Sequence, residues 1–213
     1  MVSSEEIKIY KFTIGTFGVN NYLIHPNNSK KALLIDAGED PSPILNKIKQ
    51  LNLKLIYLIN THGHGDHIAG NEIILRETGA QLLIHKEEVA FLQDPQLNLS
   101  AFFGWELSSP AAHRLLKEGD CIELDNIQFT VLHTPGHTPG HICIICNNHA
   151  FTGDVIFQAG IGRTDFPHSS SHQLIESIRN KIYRLPENTI IYPGHGPNTS
   201  VGEEKYNNPF VSI

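Results

Sequence analysis

An unbroken apolar run, LKLIYLIN at 53–60, leads straight into Thr61-His62-Gly63-His64-Gly65-Asp66-His67. A run of this length and composition reads as a strand buried on both faces. It delivers three histidines and an aspartate to one strand-to-helix junction. His62 and His64 are two residues apart, so in extended backbone their side chains leave on the same face. Asp66 and His67 fall where a helix begins and approach the same space from another direction. Gly63 and Gly65 remove side-chain bulk and let the loop close around something small. Imidazole nitrogen with carboxylate oxygen is a donor set suited to zinc, iron or manganese. The alternative is a solvated polar loop; four ligand-type residues in six, with glycine spacers, argue against it.

A metal site needs further donors, and the chain offers them at other strand ends. His133-Thr-Pro-Gly-His137-Thr-Pro-Gly-His141 sets two turns around a central histidine. Phe151-Thr-Gly-Asp154 ends an apolar run in aspartate, and Ile191-Tyr-Pro-Gly-His195-Gly ends another in histidine. Loops at strand ends are where sites gather. His133 and His141 are expected to orient ligands through hydrogen bonds. The remaining six histidines (25, 85, 113, 149, 168 and 172) have no ligand context. Cys143 and Cys146 are three apart within one strand, so they point to opposite faces and do not form a redox or zinc pair.

Around these motifs, strands are expected at 7–12, 20–25, 32–37, 53–60 and 81–85, then in CIEL, IQFTVLH, HICIIC and HAFTGD, and at 188–193. Helices are expected from a Ser42 cap to about 51, at 67–78, 86–93 and 171–184, followed by a turn-rich tail. Residues 94–115 lack a period and carry Phe102, Phe103 and Trp105; they are either an irregular connection or the wall of a pocket. Each half supplies strands and then helices. That rhythm predicts an α/β (α+β) chain, two mixed β-sheets face to face with outer helices, in a single domain over 1–213.

The array His62-x-His64-x-Asp66-His67 with His137, Asp154 and His195 resembles the metallo-β-lactamase superfamily. Within it, the chain resembles the glyoxalase II-like (hydroxyacylglutathione hydrolase-like) small single-domain hydrolases. The resemblance runs from the strand before His62 to Asn208-Pro209-Phe210 and implies an αβ/βα sandwich with two metals at one edge. Carried over by position, it puts His62, His64 and His137 on one metal and Asp66, His67 and His195 on the other. Asp154 would bridge them, and Asp66 would double as a proton acceptor. The implied cofactors are two divalent ions, zinc first, with iron or manganese as alternatives.

Two such metals lower the pKa of a shared water from about 15.7 toward ~7, so hydrolysis by hydroxide at a dinuclear centre is the reaction expected. A small-molecule acyl-thiol suits it as substrate partner, because a thiolate leaving group of pKa about 8.5 needs no dedicated acid. S-lactoylglutathione is the type example. Only 18 residues follow His195, so the helical glutathione-holding domain of the larger relatives is not expected. Their cationic substrate contact matches Arg163, which is expected to meet an anionic group. Asp165 stands where those relatives often have an aromatic residue, and an Arg163–Asp165 ion pair is the alternative. Two other functions stay open: an iron-dependent persulfide dioxygenase of the same superfamily, and a non-catalytic metal-stabilised binding module.

Charge narrows the partners. Sixteen basic and twenty-two acidic residues leave a net charge of −6, which argues against nucleic acid or an anionic membrane surface. RNA cleavage is not expected on that charge, and β-lactam hydrolysis is not expected because His67 with Asp66 and Asp154 follows the hydrolase pattern and no secretory signal is seen. No apolar run approaches the ~20 residues of a membrane span, and the N-terminus lacks a secretory pattern. All three cysteines lie in apolar runs and are expected to be reduced and buried, in a soluble cytoplasmic protein. Oligomeric state is not legible.

Overall fold

Residues 6–211 are described by a computed structural model, in which the apolar runs become two mixed sheets. The first joins β1 (Ile7–Ile14), β2 (Val19–Pro26), β3 (Lys31–Ile35), β4 (Lys54–Ile59), β5 (Gln81–His85) and β6 (Arg114–Leu116) in that order. Pairing is antiparallel as far as β3 and parallel from β3 to β6. The second contains β7 (Cys121–Leu124), β8 (Ile127–His133), β9 (Ile142–Cys146) and β10 (His149–Gly153). A small hairpin follows, β11 (Ile156–Phe157) with β12 (Gly160–Ile161). β13 (Ile190–Pro193) and β14 (Thr199–Ser200) then complete the second sheet in the order β14-β13-β10-β9-β8-β7, with β10 and β13 parallel.

The residue pattern explains the layering. In β8, Ile127, Phe129 and Val131 point inward while Gln128 and Thr130 face solvent, as period-two alternation requires. In β3 both faces are apolar: Leu33 and Ile35 pack between the sheets, whereas Ala32 and Leu34 meet helices. The inter-sheet core also takes Tyr22, Ile59, Ile144 and Phe151. Removing a fully buried ring such as Phe129 would cost about 3–5 kcal/mol. Helices α1 (Ser42–Leu51), α3 (Asn71–Thr78) and α4 (Val89–Gln93) lie by the outer face of the first sheet, burying Ile44, Ile74 and Leu92. α5 (Ser171–Asn180) and α6 (Val201–Asn207) cover the second, through Leu174, Ile178 and Val201. The result is the expected αβ/βα sandwich. Among the described residues no helix is long and apolar enough to cross a membrane.

Several local expectations are corrected. The span 67–78 is two helices: α2 (Gly65–Ile68) is one turn, and α3 starts after Gly70. Gly70 donates its N–H to Ala37 O (2.8 Å), and a Cβ there would collide with Gly38 O, so contact with the loop after β3 interrupts the helix. Ser42 is the first helical residue, not the cap; Pro41 holds the cap position without a side-chain bond. Residues 86–93 open as a 3₁₀ turn (Lys86–Glu88) before α4, and the 171–184 stretch closes with one (Ile182–Arg184) after α5. The tail is not all turns: Ser200 accepts the Glu203 N–H (3.1 Å) and caps α6. Residues 94–115 contain a 3₁₀ turn (Ser100–Phe103) and run into β6. Cys121 is exposed because it takes an outward position of β7, whereas Cys143 and Cys146 are buried on opposite faces of β9.

Candidate metal centre

The expected donors come together at one edge of the sandwich. His62 and His64 follow β4, and α2 carries Asp66 and His67. His137 lies between β8 and β9, Asp154 follows β10 directly, and His195 lies one glycine beyond β13. The loop after β4 can bend this tightly because Gly63 has no Cβ; one added there would collide with the Phe91 side chain.

Two groups of atoms converge. His62 Nε2 is 3.1 Å from His64 Nδ1, which is 3.0 Å from His137 Nε2. In the second group, His67 Nε2 lies 3.4 Å from His195 Nε2, and Asp66 Oδ2 is 3.8 Å and 3.5 Å from those two nitrogens. Asp154 touches both groups: Oδ1 is 3.4 Å from His67 Nε2, and Oδ2 is 3.6 Å from His137 Nε2 and 3.5 Å from His195 Nε2. Nitrogen donors at about 2.0–2.1 Å in a tetrahedral site stand roughly 3.3 Å apart, close to these separations. Asp154 Oδ1 is buried without a hydrogen-bond partner, as a ligand atom awaiting a cation would be. The donor set therefore fits a pair of divalent ions.

Outer partners decide which nitrogen each ring presents. His137 Nδ1 donates to Arg163 O (2.7 Å), His195 Nδ1 to Phe17 O (3.1 Å) and His67 Nδ1 to Asp36 Oδ2 (2.9 Å). Each bond leaves the Nε2 lone pair facing the group, the arrangement that orients metal-binding imidazoles. His141 works one step further out. Its Nε2 accepts the Asp154 N–H (3.0 Å), its Nδ1 contacts Thr134 Oγ1 (3.2 Å), and its ring stacks under His62 at 4.9 Å. His133 donates from Nε2 to Pro139 O (2.8 Å). Both flanking histidines are thus hydrogen-bonded supports of the turn that carries His137.

The electrostatics split the rings into two sets. Burial, reinforced by neighbouring histidines, holds His62 and His141 well below the usual range and lowers His64 to about 3. These shifts favour the neutral form, the form in which an imidazole can donate to a cation. At His67 burial opposes protonation, but Asp66, Asp154 and Asp36 outweigh it and raise the pKa well above the usual value. At His195 burial is outweighed by the Asp66 hydrogen bond and the Asp154 charge. Burial would raise Asp154; His67, His195 and His137 override it and hold the carboxyl far below its usual range. The carboxylates that raise His67 and His195 converge on the same point as the two Nε2 atoms.

Two buried carboxylates escaped the sequence reading. Asp36 ends β3 and accepts the Thr61 N–H and Oγ1–H (both 2.8 Å) as well as His67 Nδ1. Glu88, fully buried, accepts the Gly63 N–H at Oε2 (2.8 Å) and the Gly140 N–H at Oε1 (2.7 Å), tying together the loops that carry His62, His64 and His137. A signal existed for each: Asp36 closes an apolar strand, and Glu88 sits three and four residues before Phe91 and Leu92, on their buried face. One histidine read as contextless, His85, stacks on His133 at 4.2 Å and shares a potential donor cluster with it and Glu87.

A cavity of about 270 Å³ opens over the donors, walled by Phe17, Leu99, Phe103, Trp105, Phe157 and Phe166. The 94–115 segment supplies three of these, so it is the wall of a pocket, although Phe102 points away and is 83% exposed. Arg163 is at the rim. Its guanidinium donates to Asp165 through Nε (2.9 Å) and Nη2 (2.7 Å) and lies 4.3 Å over the Phe166 ring.

The sequence model of the metallo-beta-lactamase superfamily matches residues 14–195. The hydroxyacylglutathione hydrolase GloC of Haemophilus influenzae is 39% identical over 190 residues, covering 87% of this chain and 90% of its own. The mitochondrial persulfide dioxygenase ETHE1 of Bos taurus is 32% identical over 200 residues, 90% of this chain and 71% of its own. Among solved structures, the BLEG-1 B3 metallo-beta-lactamase superposes with a TM-score of 0.91 at 34% identity, covering 97% of this chain and all of that one.

Proposed function

The chain belongs to the metallo-beta-lactamase superfamily, and from that premise we propose that it hydrolyses a small acyl-thiol, a thioester of the S-lactoylglutathione kind, at a centre of two divalent cations. The observation that carries this reading is the position of Asp154, within 3.4–3.6 Å of nitrogens from both donor groups. One carboxylate reaching two sets is the design of a shared ligand. His62, His64 and His137 would hold one cation, Asp66, His67 and His195 the other. Zinc is proposed first, and the same nitrogen and oxygen donors accept iron or manganese.

Bound there, two such cations supply a water of lowered pKa and polarise a carbonyl oxygen. The chain's own residues do the rest. Asp66 lines the cavity and, besides holding a cation, would accept the attacking water's proton at its carboxylate. Asp36 and the Arg163 and Phe17 carbonyls keep the rings in register, so no reorganisation is required during reaction. The aromatic walls would place apolar surface beside the scissile bond. Cys121, Cys143 and Cys146 are free, which fits a reducing compartment, and the cytoplasm is proposed as the location.

The likeness to a persulfide dioxygenase favours a second reading, an iron enzyme that consumes O₂. Zinc-loaded and iron-loaded protein should be assayed for thiol release from S-lactoylglutathione, for oxygen uptake with glutathione persulfide, and for opening of a cephalosporin. Thiol release by the zinc form is the expected result. Oxygen uptake confined to the iron form, with no thiol release from either, would replace hydrolase with dioxygenase. Faster opening of the cephalosporin would redirect the assignment to β-lactams. No turnover in any arm would leave a metal-stabilised binding module.

A further inference from the structure

The cavity has a polar floor and a carbon wall. His64, Asp66, His137, Asp154 and His195 make the floor, and all five belong to the donor groups. Above them, Phe17 arrives from the β1–β2 turn, and Phe103 and Trp105 arrive from the 94–115 segment. The rings of Phe17 and Phe103 meet edge-on at 4.8 Å, and Phe17 and Trp105 are 5.9 Å apart. Phe17 and Phe103 nevertheless remain 40% and 50% exposed, an aromatic pair facing water at the mouth.

The polar side chains that line this wall each already have a partner. Asn98 Nδ2 donates to Leu107 O, its Oδ1 accepts the Ser100 N–H, and Ser100 Oγ accepts the Leu107 N–H. Both residues are buried. Among the lining residues only Arg163 carries a permanent positive charge, and Asp165 neutralises it through two hydrogen bonds. A carboxylate entering here would lose hydration without gaining a dedicated partner, whereas an aryl or branched alkyl group would cover exposed rings and leave water itself.

The wall is also registered to the floor. Phe17 O accepts from His195 Nδ1 (3.1 Å), and Asn98 O accepts the Gly65 N–H (2.7 Å) beside Asp66. A group seated on Phe17 and Phe103 is therefore held at a set distance from the donors.

We infer that this wall selects thioesters carrying an uncharged, ring-sized apolar substituent, on the acyl or the thiol side, over thioesters carrying carboxylates at that place. The scissile bond rests on the hydrolase reading above; the apolar preference of the wall does not. Arg163, expected from the sequence to meet an anionic group, would then serve to cover Phe166.

Trp105 is the chain's sole tryptophan, so its emission reports occupancy of the wall without any turnover. Metal-loaded protein is titrated with two inert thioethers, S-benzyl-N-acetylcysteamine and S-carboxymethyl-N-acetylcysteamine. The S-benzyl compound should change Trp105 emission saturably with a Kd at least ~10-fold lower. Phe103→Ala should weaken its binding several-fold, and Phe102→Ala, outside the pocket, should leave it unchanged. Equal affinity for the two thioethers, or no response to either, overturns the inference. The end that carries the group is read from kcat/KM in two arms: phenylacetyl against succinyl thioesters of N-acetylcysteamine, and acetyl thioesters of benzyl mercaptan against 3-mercaptopropionate. A ratio of ~10 or more in one arm locates the substituent; thioester turnover with ratios near one in both overturns the inference and keeps the hydrolase. Tight S-benzyl binding with no thioester turnover keeps the wall's preference and refutes the hydrolase.

Discussion

Glu88→Gln tests whether the donor loops are held by one buried carboxylate. Its two oxygens face two backbone donors, Gly63 N–H at 2.8 Å and Gly140 N–H at 2.7 Å. Glutamine keeps the shape but has a single acceptor oxygen. One N–H then faces an NH₂ group and loses its partner, and a buried unsatisfied donor costs about 1–3 kcal/mol. Part of that cost is offset, because burial already penalises the Glu88 charge and pushes its pKa up. The net expected loss is about 1–2 kcal/mol, and for a chain of this size about 2–4 °C in Tm per kcal/mol follows. Glu88→Ala leaves both donors bare and opens a cavity, so about 3–5 kcal/mol is expected. The assay is calorimetric Tm of metal-free and zinc-loaded protein, with zinc affinity measured by chelator competition. Because Gly63 lies between His62 and His64, and Gly140 adjoins His141, Glu88→Gln should also weaken zinc binding, by roughly 10-fold or more. An unchanged metal-free Tm together with unchanged zinc affinity would refute the clamp.

Asp154→Ala should lose metal and activity together, whereas His172→Ala, exposed on α5, should lose neither; elemental analysis alongside turnover decides. Asp36→Asn keeps an acceptor for only part of the Thr61 and His67 network, so metal affinity should fall about 10–100-fold with the fold intact by circular dichroism. Metal-free protein should lose stability as pH falls from about 6.5 toward 4. His64 and His85 are lowered to about 3 and about 4, and His62 and His141 lie well below normal, so the unfolded chain takes up protons that the folded chain refuses. His67 and His195 are raised and act in the opposite sense, contributing stability below their folded values, but they are outnumbered. A metal-free Tm at pH 5 equal to or above that at pH 7.5 would contradict this balance.

The layered fold was legible because it rests on local periodicity. Alternation at Ile127, Phe129 and Val131 and two-faced runs such as Ala32–Ile35 dictate which strands can be central and which face a sheet or helices. The donors were legible because imidazoles and carboxylates at strand ends have few other uses, and the spacing of His62, His64, Asp66 and His67 is itself local. Strand alternation also announced the opposed faces of Cys143 and Cys146, whereas the α6 helix and its Ser200 cap, expected only as turns, came from the structure. What the tertiary structure decided lies between elements distant in sequence. It broke the 67–78 helix at Gly70 against Ala37 and Gly38. It placed Asp36 behind His67 and Glu88 between Gly63 and Gly140. It turned 94–115 into an aromatic wall with Phe17. Periodicity and donor chemistry are properties of a residue and its near neighbours. The partner of a buried carboxylate, or the ring that completes a wall, is set by which surfaces meet when the two sheets close, and a side chain carries no local mark of a contact made fifty residues away.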